Sequence, residues 1–109
     1  MNVCAQAEIK LDDSKQNFGY VKRGKLVTCL YEITNTGDQP LLLKSAEVSC
    51  SCTEVEFSKQ PVLPGQKTTV IVRFDTKTVY GRQDRVVALE SNAKTNPVKL
   101  RYKGIVSNH

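Results

Sequence analysis

The chain has 109 residues, 39% hydrophobic and 25% charged, a length and balance that suit one compact globular domain and exclude a disordered chain. Sixteen Lys+Arg against eleven Asp+Glu leave a net charge of +5, spread along the chain without a run of five basic residues, which is the pattern of a solvated basic surface rather than of a nucleic-acid-binding arm. No apolar run approaches the ~20 residues that span a bilayer, so no membrane span is expected.

At the start, Ala5-Gln6-Ala7 followed by Glu8 has the small-x-small form that signal peptidase cuts. Residues 1–7 are accordingly read as the remnant of a signal peptide, and 8–109 as a single domain. An exported protein, periplasmic or at the cell surface, is expected. On that reading Cys4 is absent from the mature chain, and three cysteines remain in an oxidising compartment.

Beyond the leader the period is two rather than 3.6, with breakers between short runs rich in Val, Thr, Ile, Tyr and Phe. Phe18–Val21 is the first expected strand, closed by Lys22-Arg23-Gly24. In the second, residues 25–34, Val27, Cys29, Tyr31 and Ile33 share a face. Asn35-Thr36-Gly37-Asp38-Gln39-Pro40 is a turn, with Asn and Gly expected to supply left-handed conformations and Pro40 to stop pairing. Leu41-Leu42-Leu43 opens a third strand. Ala46, Val48, Cys50 and Cys52 then point one way, and Ser45, Glu47, Ser49 and Ser51 the other. The parity flips at Val55 and Phe57, so a bend or bulge is expected near Thr53.

Pro61 and Pro64-Gly65 make the next turn. Residues 68–75 follow, with Val70, Val72 and Phe74 inward. Residues 85–90 are apolar on both faces, as a central strand would be. Ser91–Pro97 is a polar loop. In the last strand Val98, Leu100 and Tyr102 face in, while Lys99, Arg101 and Lys103 face out as a basic stripe that would guard a sheet edge. About seven short strands in about 100 residues predict an all-β, immunoglobulin-like antiparallel sandwich. No Trp is present, so the Cys–Trp–Cys mark of antibody domains is missing.

Several phrases line up in order and spacing: Phe18-Gly19, Gly24, Tyr31-Glu32-Ile33-Thr34-Asn35-Thr36-Gly37-Asp38, Pro40-Leu41, Ser49-Cys50-Ser51-Cys52-Thr53, Pro64-Gly65, Gly81, Ser91-Asn92 and Gly104. Over residues 14–106 the chain resembles the bacterial domain-of-unknown-function family DUF1573. That family is related to the Hydin-type (ASH) immunoglobulin-like domains and, more distantly, to the major sperm protein and pilus-chaperone sandwiches. The Ser-Cys-x-Cys-Thr element, which marks Ser49 and Thr53 beside the two cysteines, is its more specific feature. The family usually has Gly between the cysteines, where this chain has Ser51. It often has His where this chain has Cys29. The resemblance implies export and brings no established activity.

Cys50 and Cys52 admit three readings, with Cys29 as a third member of each. They can be core filling or an ordinary structural disulfide, since free Cys behaves as a small hydrophobe. They can be a redox pair: two positions apart in a strand is about 6.6 Å between Cα atoms, near the ~6.8 Å limit for a disulfide, so such a bond is strained and reducible. They can be a soft-metal site, in which thiolates two apart, with a third from the facing sheet, would suit Cu(I).

No hydrolase constellation is available, because the one histidine is the terminal His109. Asp12-Asp13 reads as a turn, and Glu54 and Glu56 as a solvated face. The expected function is therefore a non-catalytic interaction or adhesion module without a cofactor, monomeric, with a protein partner and not nucleic acid. It would bind through the edges near Phe18–Val21 and Val98–Tyr102. An envelope Cu(I)-binding or thiol-redox module centred on Cys50, Cys52 and Cys29 is the alternative.

Overall fold

A computed structural model describes residues 7–11, 13–48, 51–94 and 97–108. Eight strands form two four-stranded sheets: β1 (Ile9–Leu11), β2 (Lys15–Lys22), β3 (Leu26–Asn35), β4 (Leu43–Val48), β5 (Thr53–Glu56), β6 (Lys67–Asp75), β7 (Gly81–Ser91) and β8 (Val98–Ser107). One sheet has the order β1-β3-β6-β5 and the other β2-β8-β7-β4. All pairs are antiparallel except β2 with β8, which is parallel. The all-β sandwich expected from the alternation is the fold observed. The described residues include no helix long and apolar enough to cross a membrane.

The eight strands reduce to seven plus a split. The N-terminal strand begins in the first sheet as β1, pairing Ile9 with Asn35, and resumes in the second as β2, pairing Lys15 with Arg101. β1 is only three residues long, too short for a period-two signal, and the sequence reading passed over it. Ala7 also belongs to the domain. It is buried, bridges Ala93, and its carbonyl accepts from Lys94 N at 2.9 Å. The expected leader remnant therefore overlaps the sandwich by this residue, and residues 1–6 lie outside the described ones.

Between Val48 and Thr53 the chain leaves the second sheet for the first. The inward side of one sheet is the opposite side of the other, and this is why the inward parity changes from Ala46 to Val55. On β4, Ala46 and Val48 stand beside the buried Leu89 and Val87. Val48 is nonetheless exposed, because it lies on β4, the last strand of its sheet.

The core is built from the inward positions of β3, β6, β7 and β8: Tyr31, Ile33, Val70, Val72, Phe74, Leu89, Leu100 and Tyr102 are each no more than 1% exposed. At one end the rings of Phe18, Phe74 and Tyr102 form a triangle with centroids 5.3–6.5 Å apart, within the range of favourable edge and offset contacts. The Arg85 guanidinium lies 5.5 Å over the Phe74 ring. At the other end Asn35 is fully buried. Its Nδ2 donates to the carbonyls of Gln39 (2.7 Å) and Val62 (2.8 Å), and its Oδ1 accepts from the Gly37 and Glu8 amides. Neither Asn35 nor Gly37 has a positive φ. The turn is held by the asparagine side chain, not by the left-handed backbone expected of it.

Phe18 enters the core through a bulge. Asn17 pairs with Lys103 and Gly19 with Gly104, so Phe18 is the extra residue on β2. Gly19 has φ +81°, a conformation glycine adopts without penalty. Gly104 lies beneath: a Cβ there would come within 2.4 Å of the Phe18 ring and 2.7 Å of the Gly19 carbonyl oxygen. We expect Gly104→Ala to cost about 1–3 kcal/mol through this overlap, measured by denaturant unfolding. In a double-mutant cycle with Phe18→Ala the two costs should fall short of adding, with a coupling of about 0.5–3 kcal/mol. Asn35→Ala should cost about 2–4 kcal/mol, since it strands buried donors and acceptors of three other segments.

Candidate functional site

The cysteines come first. Cys29 lies on β3, buried, in register with Val72 of β6, which pairs in turn with Val55 of β5. Cys52 immediately precedes β5, and its carbonyl accepts from Asp75 N at 2.8 Å. The two are thus in the same sheet with β6 between them, not on facing sheets as the three-thiolate geometry required. Two strand spacings across and three residues along put their Cα atoms about 14 Å apart.

Their chemical states differ too. Cys52 is disulfide-bonded, and Cys29 is the free cysteine of the described residues. Burial pushes the Cys29 thiol above its ordinary range, which makes it a poor nucleophile. Ser49 and Cys50 lie outside the described residues. No three His, Cys, Asp or Glu side chains gather to hold a metal ion among the described residues.

Thr53 is a buried polar side chain beneath this corner. Its hydroxyl is hydrogen-bonded to the Tyr102 hydroxyl, and Tyr31 OH donates to the Arg101 carbonyl at 2.6 Å. Burial raises both phenols. These groups are satisfied structural bonds across the sandwich. Thr53 links β5 in one sheet to β8 in the other.

Lys99, Arg101 and Lys103 do face outward on β8, but β8 runs between β2 and β7. From Arg101 onward the sheet edge expected at the last strand is taken by β2, whose parallel register with β8 runs from Lys15–Arg101 to Lys22–Ser107; Val98–Leu100 lie before it. Arg101 donates two hydrogen bonds to Asp84, from Nε at 2.7 Å and from a terminal nitrogen at 2.5 Å. These bonds hold the Asp84 carboxyl below its usual range, with the charges of Arg101, Lys103 and Arg82 adding to the effect.

Beside this pair lies a groove of about 510 Å³ on the solvent face of β2, β8 and β7. One row across it is Asn17, Lys103 and Asp84; another is Tyr20, Ile105 and Arg82; Gly19, Gly104 and Gln83 lie between. Tyr20 is 74% exposed and Ile105 40%. Sequence reasoning placed Lys103 and the Phe18–Val21 edge here, but missed the outward facing of Tyr20 and the residues Asn17, Arg82 and Ile105. Strict alternation from Phe18 puts Tyr20 inward; only the bulge turns it out. Phe18-Gly19 was the one available signal, since a glycine inside a strand marks a bulge.

The sequence from residue 9 to 106 matches the model of the family described as protein of unknown function, DUF1573. No curated protein matches it. Among solved structures it is similar to a protein of unknown function from Porphyromonas gingivalis W83, with TM-score 0.83 at 17% identity, over 95% of this chain and 49% of that one. The chain therefore spans about half the length of that protein. It is also similar to PapD-like domain 7, an ASH domain, of human CEP192: TM-score 0.74 at 11% identity, over 100% of this chain and 92% of that one. A third similarity is to the VesB protease of Vibrio cholerae, TM-score 0.66 at 15% identity, over 94% of this chain and 32% of that one. At these identities the likenesses speak for the fold alone. The family match, the two-sheet topology and the PapD-like neighbour agree, and the chain belongs to the DUF1573 family of unknown function, with an immunoglobulin-like sandwich fold.

Proposed function

We propose that the protein is a non-catalytic interaction module that binds a partner polypeptide along the β2 margin of the β2-β8-β7-β4 sheet. The observation that carries this reading is that β2 pairs with β8 on one side and, among the described residues, with no strand on the other, and presents the exposed Tyr20 beside the groove. An unpaired strand offers backbone donors and acceptors to an extended peptide, and neighbouring pockets give specificity. Tyrosine is favoured at such contacts because it brings a large, amphipathic surface. Export to an oxidising compartment forms part of the proposal. It is supported by the disulfide at Cys52, since such bonds persist mainly outside the cytosol.

Selection from a displayed random-peptide library tests it. Enriched peptides should lose binding to Tyr20→Ala and keep it with Leu30→Ala, an exposed apolar site on the other sheet. Turnover of an ester, phosphate, peptide or glycoside panel that survives Tyr20→Ala would sink the reading.

The three-thiolate Cu(I) alternative needs Cys52 reduced and Cys29 within reach of it, and the burial of Cys29 and the strand between them argue for a packing role for Cys29 instead; a redox role of the Cys50/Cys52 pair rests on Cys50, which lies outside the described residues. Peptide mapping after alkylation should label Cys29 only on unfolding, and Cys52 only on reduction. A stoichiometric Cu(I) held by the unreduced native protein against a competing chelator would reverse that preference.

A further inference from the structure

The partner's charge is legible on the same face. The outward positions of β2, β8 and β7 carry Lys15, Arg82, Lys99 and Lys103, all exposed, and none makes an ion pair among the described residues. The acid among them in the groove, Asp84, is already engaged by Arg101 through both carboxylate oxygens. The opposite sheet is different. There Lys67 pairs with Glu32 at 3.7 Å and Arg73 with Glu56 at 2.9 Å. The surplus positive charge is therefore concentrated where the unpaired strand and the groove also lie.

The groove is not uniformly cationic. Tyr20 and Ile105 share a row with Arg82, and Lys103 shares the next row with Asn17. An apolar surface about one side chain wide, flanked by cations on the same face, fits a segment whose same-face positions, two residues apart, carry apolar and acidic side chains in turn. In an added strand, side chains two apart point to the same face. Apolar members would rest on Tyr20 and Ile105, while carboxylates reach Lys15, Lys103 and Arg82. Resting on the β2 interaction reading, we infer that the ligand of this face is an extended, acidic polypeptide segment carrying apolar residues. A bilayer surface or an anionic glycan would use the cations but has no backbone to pair with β2.

The test uses the library-selected peptides, made synthetically with every Glu and Asp changed to Gln in a second set. Binding is read by fluorescence anisotropy at low and at high salt. The expected result is an excess of Glu and Asp in the selected sequences, affinity at least about ten-fold weaker for the Gln set, and weakening by salt. The double variant Lys103→Gln/Arg82→Gln should lose about ten-fold for the acidic set and little for the Gln set. Equal affinity of both sets, or selection of neutral or basic sequences dependent on Tyr20, overturns the charge inference and leaves the interaction module standing. No Tyr20-dependent peptide at all overturns both. Binding to phosphatidylserine vesicles or to heparin, abolished by the same double variant and not displaced by the acidic peptides, also overturns the inference.

Discussion

The contact between Phe18 and Gly104 is the constraint on which both the end of the core and the candidate surface depend. Because Gly104 has no side chain, the Phe18 ring can sit over β8 and complete the aromatic triangle with Phe74 and Tyr102. Seating the ring requires one extra residue on β2, and the extra residue reverses the facing of everything after it. Phe18 and Val21 are both partly buried, three residues apart, while Tyr20 is turned to solvent. A device that closes the hydrophobic core is thus the same device that exposes an aromatic ring at the sheet margin. Bulges often serve to re-aim side chains in this way.

The opposite end is held by a different kind of bond. Asn35 ties the β3–β4 turn, the chain before β1 and the segment at Val62 through one fully buried amide. A buried amide with all its partners gives geometric specificity, and one without them is costly. With the backbone of that turn in ordinary conformations, the widely shared Asn-Thr-Gly-Asp phrase works through the asparagine's side chain rather than through its backbone freedom.

The cysteines show how position in a sheet decides chemistry. In sequence, Cys29, Cys50 and Cys52 all carried inward parity and looked able to converge. Residues on one face of a sheet meet when their strands are adjacent. Cys29 and Cys52 come from one sheet, separated by β6. One is a buried thiol with its ionisation suppressed, and the other is part of a disulfide. Their surroundings, among them the Thr53–Tyr102 hydroxyl pair, are those of a packed corner.

The sandwich and most of its core were legible in the alternation of residues. Alternation along β3, β6 and β8 names Val27, Tyr31, Val72, Phe74, Leu100 and Tyr102 as inward, because a strand exposes one face to the core and the pattern is local. It also signalled the change of parity before Val55, though not its cause. Tertiary pairing settled which of the two expected edges stays open, that β6 separates Cys29 from Cys52, and which way Tyr20 points. Those are matters of pairing between segments far apart in the chain. The parallel placement of β2 against β8, almost ninety residues away in sequence, covers β8 from Arg101 onward and leaves the edge expected near Phe18–Val21 open, and no local period carries that choice between the two.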